Sequence, residues 1–134
     1  MIRASSLDDD YQSSFTNGSN TAIADVPREK GGRGEGFGPH ELLEAALATC
    51  MTMTVRMFAE KHQFDLEIVD CEVVIDRSVP ERPTMRYHLS LRGQLSLEQE
   101  EQLRDAASRC PVAKTLAGRM EFKRVEQGAS HERS

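Results

Sequence analysis

Charged residues are sparse in the middle of one long stretch of the chain, "ELLEAALATCMTMTVRMFAEKH", residues 41 to 62. Through its central turns only Glu44 and Arg56 carry a charge. Pro39, just before the stretch, suits a first helical turn because its fixed φ fits and its missing N–H is not needed there. The pattern predicts a helix that is apolar on nearly every side and has Cys50 at its centre.

A helix of this kind has to be covered on all sides, and one small sheet covers only one of them. The other long helical segment of the chain is rich in charge, so only about half of its surface could cover the central helix. The sequence therefore predicts a homodimer in which two copies of the central helix pack together. Ala45, Ala46 and Ala48 would allow close approach, and the helix methionines would fill irregular gaps.

Alternating apolar and polar positions predict strands on either side of this helix. After it, residues 64 to 78 and residues 84 to 95 alternate well and flank the turn-rich sequence "VPERP". Before it, residues 8 to 27 hold two weaker runs around "NG", a pair typical of β-hairpins. These segments predict two pairs of antiparallel strands.

The last third of the chain predicts two helices and a strand. Ser96 and Gln99 form a capping-box pattern that opens an amphipathic, solvent-exposed helix. Cys110-Pro111 interrupts it, and "VAKTLAG" predicts a further short helix. The sequence "MEFKRVEQ", residues 120 to 127, predicts a final strand.

The resulting order, β-β-α-β-β-α-α-β, separates strands from helices and so favours the α+β class with mostly antiparallel pairing. A length of 134 residues suits one domain, here the whole of 1–134. The polar end of the chain, residues 128–134, is expected to be a disordered tail.

Composition narrows the function classes. A net charge of −5 argues against a nucleic-acid groove. The chain has no run of eighteen apolar residues, so no membrane span is predicted. Its first residues, "MIRASSLDDD", lack the apolar core of a signal peptide, so a cytoplasmic protein is expected. Without a CxxC pair or histidines at ligand spacing, neither a metal nor another cofactor is predicted. Three cysteines in that compartment do not suggest a structural disulfide framework.

The three thiols differ in their local setting. Cys71 lies on the apolar face of a predicted strand, where a cysteine acts as a small hydrophobic side chain. Cys110 precedes the short helix, whose N–H groups could point at its sulfur and favour the thiolate. A cysteine in a helix–helix turn without any role fits the position of Cys110 equally well.

Cys50 lies in mid-helix, where an apolar setting raises the pKa of a thiol, so packing is its simplest role. It would become a nucleophile only if a cation reached it. The glycine-rich segment 28 to 39, expected to be a mobile loop, carries three candidates, Arg28, Lys30 and Arg33. The local sequence does not choose among them.

Two motifs, taken together, resemble the pattern of a known protein family. "GPHELLEAALATC", followed sixty residues later by "CPVAKTL", resembles the OsmC/Ohr family of thiol-dependent hydroperoxide reductases. The resemblance covers residues 28 to 118 and implies an intertwined α+β homodimer with two sites, each built from both subunits. It also implies that Cys50 is the peroxidatic cysteine and Cys110 the resolving one.

The resemblance further implies an organic hydroperoxide as substrate and an external dithiol, often a lipoyl protein, as reductant. In well-studied relatives a glutamate ten residues before the first cysteine pairs with an activating arginine. Here His40 occupies that position and Glu41 follows it, while Arg28 lies in about the right loop. The alternative is a non-enzymatic or weakly active dimer that senses redox state or binds a small ligand.

Overall fold

The computed structural model of the chain describes residues 1–126. Within them, a three-stranded and a two-stranded antiparallel sheet accompany three α-helices. The elements are β1 (Arg3–Ser6), β2 (Ser13–Thr16), β3 (Thr21–Ala24), a 3₁₀ turn (Arg28–Lys30), α1 (Pro39–Lys61), β4 (Asp65–Asp76), β5 (Thr84–Gln94), α2 (Leu97–Ser108) and α3 (Pro111–Ala117). The α+β class with antiparallel sheets is confirmed.

Helix α1 is the long helix that the apolar stretch predicts, and it begins with Pro39. Every fourth residue along one side is buried, which gives the helix a continuous core-facing stripe. This stripe packs against β4 and α2. Its members are Leu47, Met51, Val55 and Ala59.

The same helix is long and apolar enough to cross a membrane, judged by length and composition alone. The core helix of a soluble domain satisfies that criterion equally well. In this structure one side of α1 packs along the two-stranded sheet and α2.

Strands β4 and β5 form the long hairpin expected around "VPERP", with Cys71 opposite Leu89. The ladder is interrupted between Leu66 and Ile68, where the register shifts. Arg56 of α1 covers this irregularity, since its guanidinium donates hydrogen bonds to the carbonyl oxygens of Leu66 at 3.1 Å and Glu67 at 3.0 Å. Arg56, one of the two charged residues in the central turns of the helix, therefore joins α1 to β4.

Helix α2 starts with the predicted capping box. The Ser96 hydroxyl accepts from the N–H of Gln99 at 3.1 Å, and the Gln99 side chain accepts from the N–H of Ser96 at 3.0 Å. Arg104 donates to the carbonyl oxygen of Leu89 at 2.7 Å, which fixes α2 against β5. Buried Leu103 and its neighbours complete the core.

The three-stranded sheet forms a meander at the N-terminus, β1-β2-β3. The hairpin predicted at Asn17-Gly18 is confirmed, and the Asn17 side chain accepts from the N–H groups of Ser19 and Asn20 at 2.8 Å. Strand β1 was not predicted from the sequence, because "RASS" has neither apolar alternation nor buried residues.

The glycine-rich segment expected to be a mobile loop is instead folded around a buried carboxylate. Asp25, only 2% exposed, accepts from the N–H of Val26 at 2.7 Å, the N–H of Glu35 at 3.0 Å and the side chain of Gln12 at 3.3 Å. Gly32 passes so close that a Cβ there would lie 2.0 Å from the carbonyl oxygen of Val26. The Asp25 side chain and backbone hydrogen bonds such as that from the N–H of Gly34 to the carbonyl oxygen of Val26, at 3.1 Å, together hold the loop between β3 and α1.

The final strand expected over residues 120 to 127 does not form within the described residues 120–126. Its apolar side chains are exposed, Phe122 to 92%, because no strand of the same chain lies beside the segment to accept its hydrogen bonds. Gln127 and the tail predicted to be disordered, residues 128–134, lie outside the described residues.

The three donors around Asp25 hold the pKa of its carboxyl below the ordinary value of 3.8; the N–H of Glu35 contributes most, against the opposing effect of burial. A lowered folded-state pKa means stabilisation that is complete above 3.8 and lost as pH falls through the folded value. We expect Asp25→Asn to lower the urea midpoint at pH 7, since an amide cannot accept all three bonds.

This loss should shrink as pH falls below 3.8, and urea unfolding curves from pH 3 to 7 would measure it. Asp8→Asn, at an exposed site, is the control. A destabilisation by Asp25→Asn of equal size at every pH would show that the carboxylate charge plays no part.

Candidate active site

Cys50 lies on α1 at the point where α3 begins. The backbone N–H of Val112, in the first turn of α3, donates to the Cys50 sulfur at 3.5 Å. A helix start sixty residues further along the chain therefore supplies a hydrogen-bond donor to the Cys50 sulfur.

Cys110, the residue before α3, is fully buried beside Cys50. Burial is the main cause that raises its pKa above the ordinary value of 9.0; the N–H of Ala113 opposes this, and the neighbouring Cys50 thiol adds to it through a side-chain hydrogen bond. The two cysteines at distant sequence positions are thus direct neighbours. Cys110 is held as a protonated thiol at neutral pH.

Cys71 belongs to the same region of the core. It faces α1 from β4, and its sulfur lies 3.8 Å from the sulfur of Met51. Burial raises its pKa, and so do the charges of Cys110 and Glu72 to a smaller extent. This environment matches the packing role predicted for Cys71.

None of the three basic candidates in the loop contacts Cys50 within residues 1–126 of one chain. Arg28 donates through Nε to the carbonyl oxygen of Arg33 at 3.1 Å. Arg33 pairs with Asp10 at 3.2 Å and with Asp9 at 3.5 Å, and these contacts raise its pKa. Lys30 ends the 3₁₀ turn on the surface.

Glu41 lies in the first turn of α1, where it accepts the backbone N–H of Gly38 at 2.8 Å through one carboxylate oxygen. That contact caps the helix. His40, the neighbouring residue, is exposed. In one chain the structure therefore brings Cys50 and Cys110 together, while Glu41 and Arg28 lie apart from them with backbone partners.

A largely apolar cleft of about 470 Å³ lies between the two helices that carry the thiols and the ends of β4 and β5. Leu43 and Leu47 line it from α1, and Ala113 and Leu116 line it from α3. Its size falls in the range of small-molecule sites.

An exposed stripe of α1 runs along the other side of Cys50. Met53 is 59% exposed and Met57 66%, and both lie on the face of Cys50, three and seven residues further on. Apolar side chains in a continuous row are uncommon on a free surface. Cys50 is thus bordered by a cleft on one side and an uncovered apolar row on the other.

The contact with Val112 is the part of the site that sequence reasoning missed. The signal was present, because a Cys-Pro pair at a helix start leaves the following N–H groups without partners in the helix. The sequence could not show that these groups would face another helix.

Two neighbouring thiols on an α+β domain define a candidate dithiol redox site. Residues 32–124 match the family model described as OsmC-like protein. Because that match covers more than half of the chain, the chain belongs to the OsmC-like family. Comparison with the curated proteins finds no match.

Solved structures show the same fold. A Psychrobacter arcticus protein assigned to osmotic stress and detoxification is 26% identical, with 85% of each chain covered and a TM-score of 0.71. An OsmC-like protein of Mycoplasma pneumoniae is 22% identical, with 88% of this chain and 86% of that one covered and a TM-score of 0.74. The organic hydroperoxide resistance protein OhrB of Bacillus subtilis is 18% identical, with 88% and 90% covered and a TM-score of 0.60.

The settings of the three thiols predict an order of alkylation by iodoacetamide. Cys50 and Cys71 are both half-buried and Cys110 is buried. Because burial raises the pKa of the Cys71 and Cys110 thiols, we expect Cys50 to react first at pH 7 and the fully buried Cys110 last. The other two should gain rate as pH rises toward and past 9.0. Timed labelling and peptide mass spectrometry would measure this order.

The same labelling in urea provides the control, because the three rates should then converge. Labelling of Cys110 as fast as that of Cys50 in the folded protein at pH 7 would contradict the proposed environment.

Proposed function

We propose that this protein reduces organic hydroperoxides to alcohols with a pair of cysteines, Cys50 and Cys110, in defence against oxidative stress. The observation that carries the proposal is the adjacency of the two thiols, with the N–H of Val112 directed at the Cys50 sulfur at 3.5 Å. Membership of the OsmC-like family supports it, since relatives with this fold include an organic hydroperoxide resistance protein.

In the first step the Cys50 thiolate attacks one oxygen of the hydroperoxide and breaks the O–O bond. Cys50 becomes a sulfenic acid, and the alkoxide leaves as an alcohol after taking a proton. The half-buried position of Cys50 next to an apolar cleft suits an alkyl or lipid hydroperoxide. The N–H of Val112 donates a hydrogen bond to the attacking sulfur.

In the second step the Cys110 sulfur attacks the sulfenic acid, a disulfide forms, and the hydroxyl leaves as water with the Cys110 proton. The raised pKa of Cys110 suits a resolving thiol that stays protonated until this step. An external dithiol, such as a lipoyl group, then reduces the disulfide by two thiol–disulfide exchanges and leaves as a cyclic disulfide.

A homodimer would complete the site. The exposed row of Met53 and Met57 beside Cys50 is the surface that a second copy of α1 would cover. The partner's loop would also be the source of the activating cation that one chain does not supply, with Arg28 as the candidate and Glu41 as its acid. The exposed segment 120–126 would find its pairing strand in the same assembly.

The redox proposal predicts a clear division between the cysteines. We expect Cys50→Ser to abolish thiol loss with cumene or tert-butyl hydroperoxide in stopped-flow measurements. Cys110→Ser should still lose its Cys50 thiol but accumulate a sulfenic acid that dimedone traps. Cys71→Ser, a conservative change in the same core, is the matched control and should cycle normally.

Indifference of all three thiols to both organic peroxides and to hydrogen peroxide would exclude the enzyme. Only the non-enzymatic role of a ligand-binding dimer would then remain. A dimedone adduct on Cys110 in place of Cys50 would reverse the assigned roles.

The dimer proposal predicts the effect of a charge on the exposed row. Met53→Glu should weaken self-association by up to roughly a thousandfold, because burying such a side chain is worth about 2 kcal/mol and a two-fold interface counts it twice, about 4 kcal/mol in total. Sedimentation velocity across a concentration series would measure the change.

Val74→Glu is the matched control, since Val74 is similarly exposed, to 56%, but lies on the outer face of β4. A wild-type protein that sediments as a monomer at micromolar concentration would contradict the dimer.

A further inference from the structure

The turn between β1 and β2 contacts the loop between β3 and α1 through consecutive residues. Two of them, Asp9 and Asp10, form ion pairs with Arg33 at 3.5 Å and 3.2 Å. Both carboxylates therefore hold the same guanidinium, which lies in the glycine-rich part of the loop. The positive charge of Arg33 is thus already engaged by two negative charges.

The next two residues of the turn reach the same loop. The ring of Tyr11 lies against Gly31, where an added Cβ would be 3.2 Å from a ring carbon. The side-chain amide of Gln12, a buried residue, donates to the carboxylate of Glu35 at 2.9 Å. Residues 9–12 therefore form a clamp, since each of its four members contacts the loop.

Arg28 is connected to this clamp through Arg33. Its Nε donates to the carbonyl oxygen of Arg33 at 3.1 Å. Within residues 1–126 no other side-chain hydrogen bond or ion pair of Arg28 is found. Its two Nη groups therefore remain as donors for a partner outside this chain.

The three basic residues of the loop thus have distinct settings. Arg33 is paired with acids, Lys30 is exposed at the end of the 3₁₀ turn, and Arg28 is fixed at Nε alone. A guanidinium that is held in place before it meets an anion loses less conformational entropy at the contact. Among the three, Arg28 is the one prepared in this way.

We propose that Arg33 is a positioning residue for Arg28: the clamp holds Arg33, and the carbonyl oxygen of Arg33 holds the Arg28 guanidinium with its Nη groups left for the thiolate of Cys50 in a second copy of the chain. This inference rests on the proposed function, in which the loop of a second copy supplies the activating cation. Asp9 and Asp10 touch no reacting atom and act only through the two arginines.

The decisive variant carries Asp9→Asn and Asp10→Asn, which remove both charges that hold Arg33. Asparagine keeps the shape of each side chain and tolerates the positive φ of 44° found at Asp10. Loss of two negative charges would by itself favour a nearby thiolate, whereas loss of positioning disfavours it. We therefore expect cumene hydroperoxide to oxidise Cys50 about threefold more slowly than in the wild type, as measured by stopped flow.

Asp8→Asn is the matched control, since Asp8 is exposed in the same turn and has no ion pair within the described residues 1–126. It should react at the wild-type rate or slightly faster. A rate in the double variant that equals or exceeds the wild-type rate would overturn the proposal, because the change in charge alone then accounts for it.

A double-mutant cycle with Arg28→Leu shows whether the clamp acts through Arg28. Arg28→Leu alone should slow the oxidation of Cys50 about tenfold, since a hydrogen bond to a charged group is lost. In that background the two asparagine changes should have no further effect. A further loss there as large as in the wild-type background would show a purely structural clamp and contradict the positioning role.

Trypsin cleavage after Lys30 tests the clamp without any peroxide. The double variant should be cut about threefold faster than the wild type, and equal cleavage overturns the proposal. Faster cleavage together with a peroxide rate that Arg28→Leu leaves unchanged also overturns it, while the cysteine reaction itself stands. If no peroxide reacts with the wild type, the proposed function fails, and cleavage alone then decides whether the clamp holds the loop.

Discussion

Helix α1 has more apolar surface than the described part of the chain covers. The position of Cys50 follows from which parts of that surface are buried and which are exposed. Strand β4 and helix α2 bury the stripe that contains Met51 and Val55. The row of Met53 and Met57 remains exposed. Cys50 lies on the boundary between these two regions, which is why its sulfur is neither sealed in the core nor open to bulk water.

That boundary is also where α3 begins. The short helix brings two groups at once, the thiol of Cys110 and the N–H of Val112, because only one residue separates them along the chain. A second thiol and a hydrogen-bond donor for the Cys50 sulfur thus come from the same helix start. Proline at the first position of α3 suits this arrangement, since it ends α2 and opens the next helix without needing its own N–H.

Much of the fold was predictable where periodicity was strong. The apolar run around Cys50 and the alternation around Cys71 gave α1 and β4 almost to the residue. Strand β1 and the folding of the glycine-rich loop around Asp25 were not predictable. Each depends on hydrogen bonds between segments rather than on a local pattern. The segment 120–126 shows the converse, a strand pattern without a strand, since pairing requires a neighbouring strand and none of the strands described within residues 1–126 pairs with it.

The site was predictable only in part for the same reason. Family resemblance named Cys50, Cys110, Arg28 and Glu41, but no local pattern could show that the N–H of Val112 would face Cys50, or that Glu41 would cap its own helix. That cap has a consequence for any arginine that approaches. One oxygen of Glu41 already accepts from Gly38, so a guanidinium that engaged both oxygens would share this acceptor with the helix start. A single-pronged contact to the other oxygen would leave the capping bond undivided.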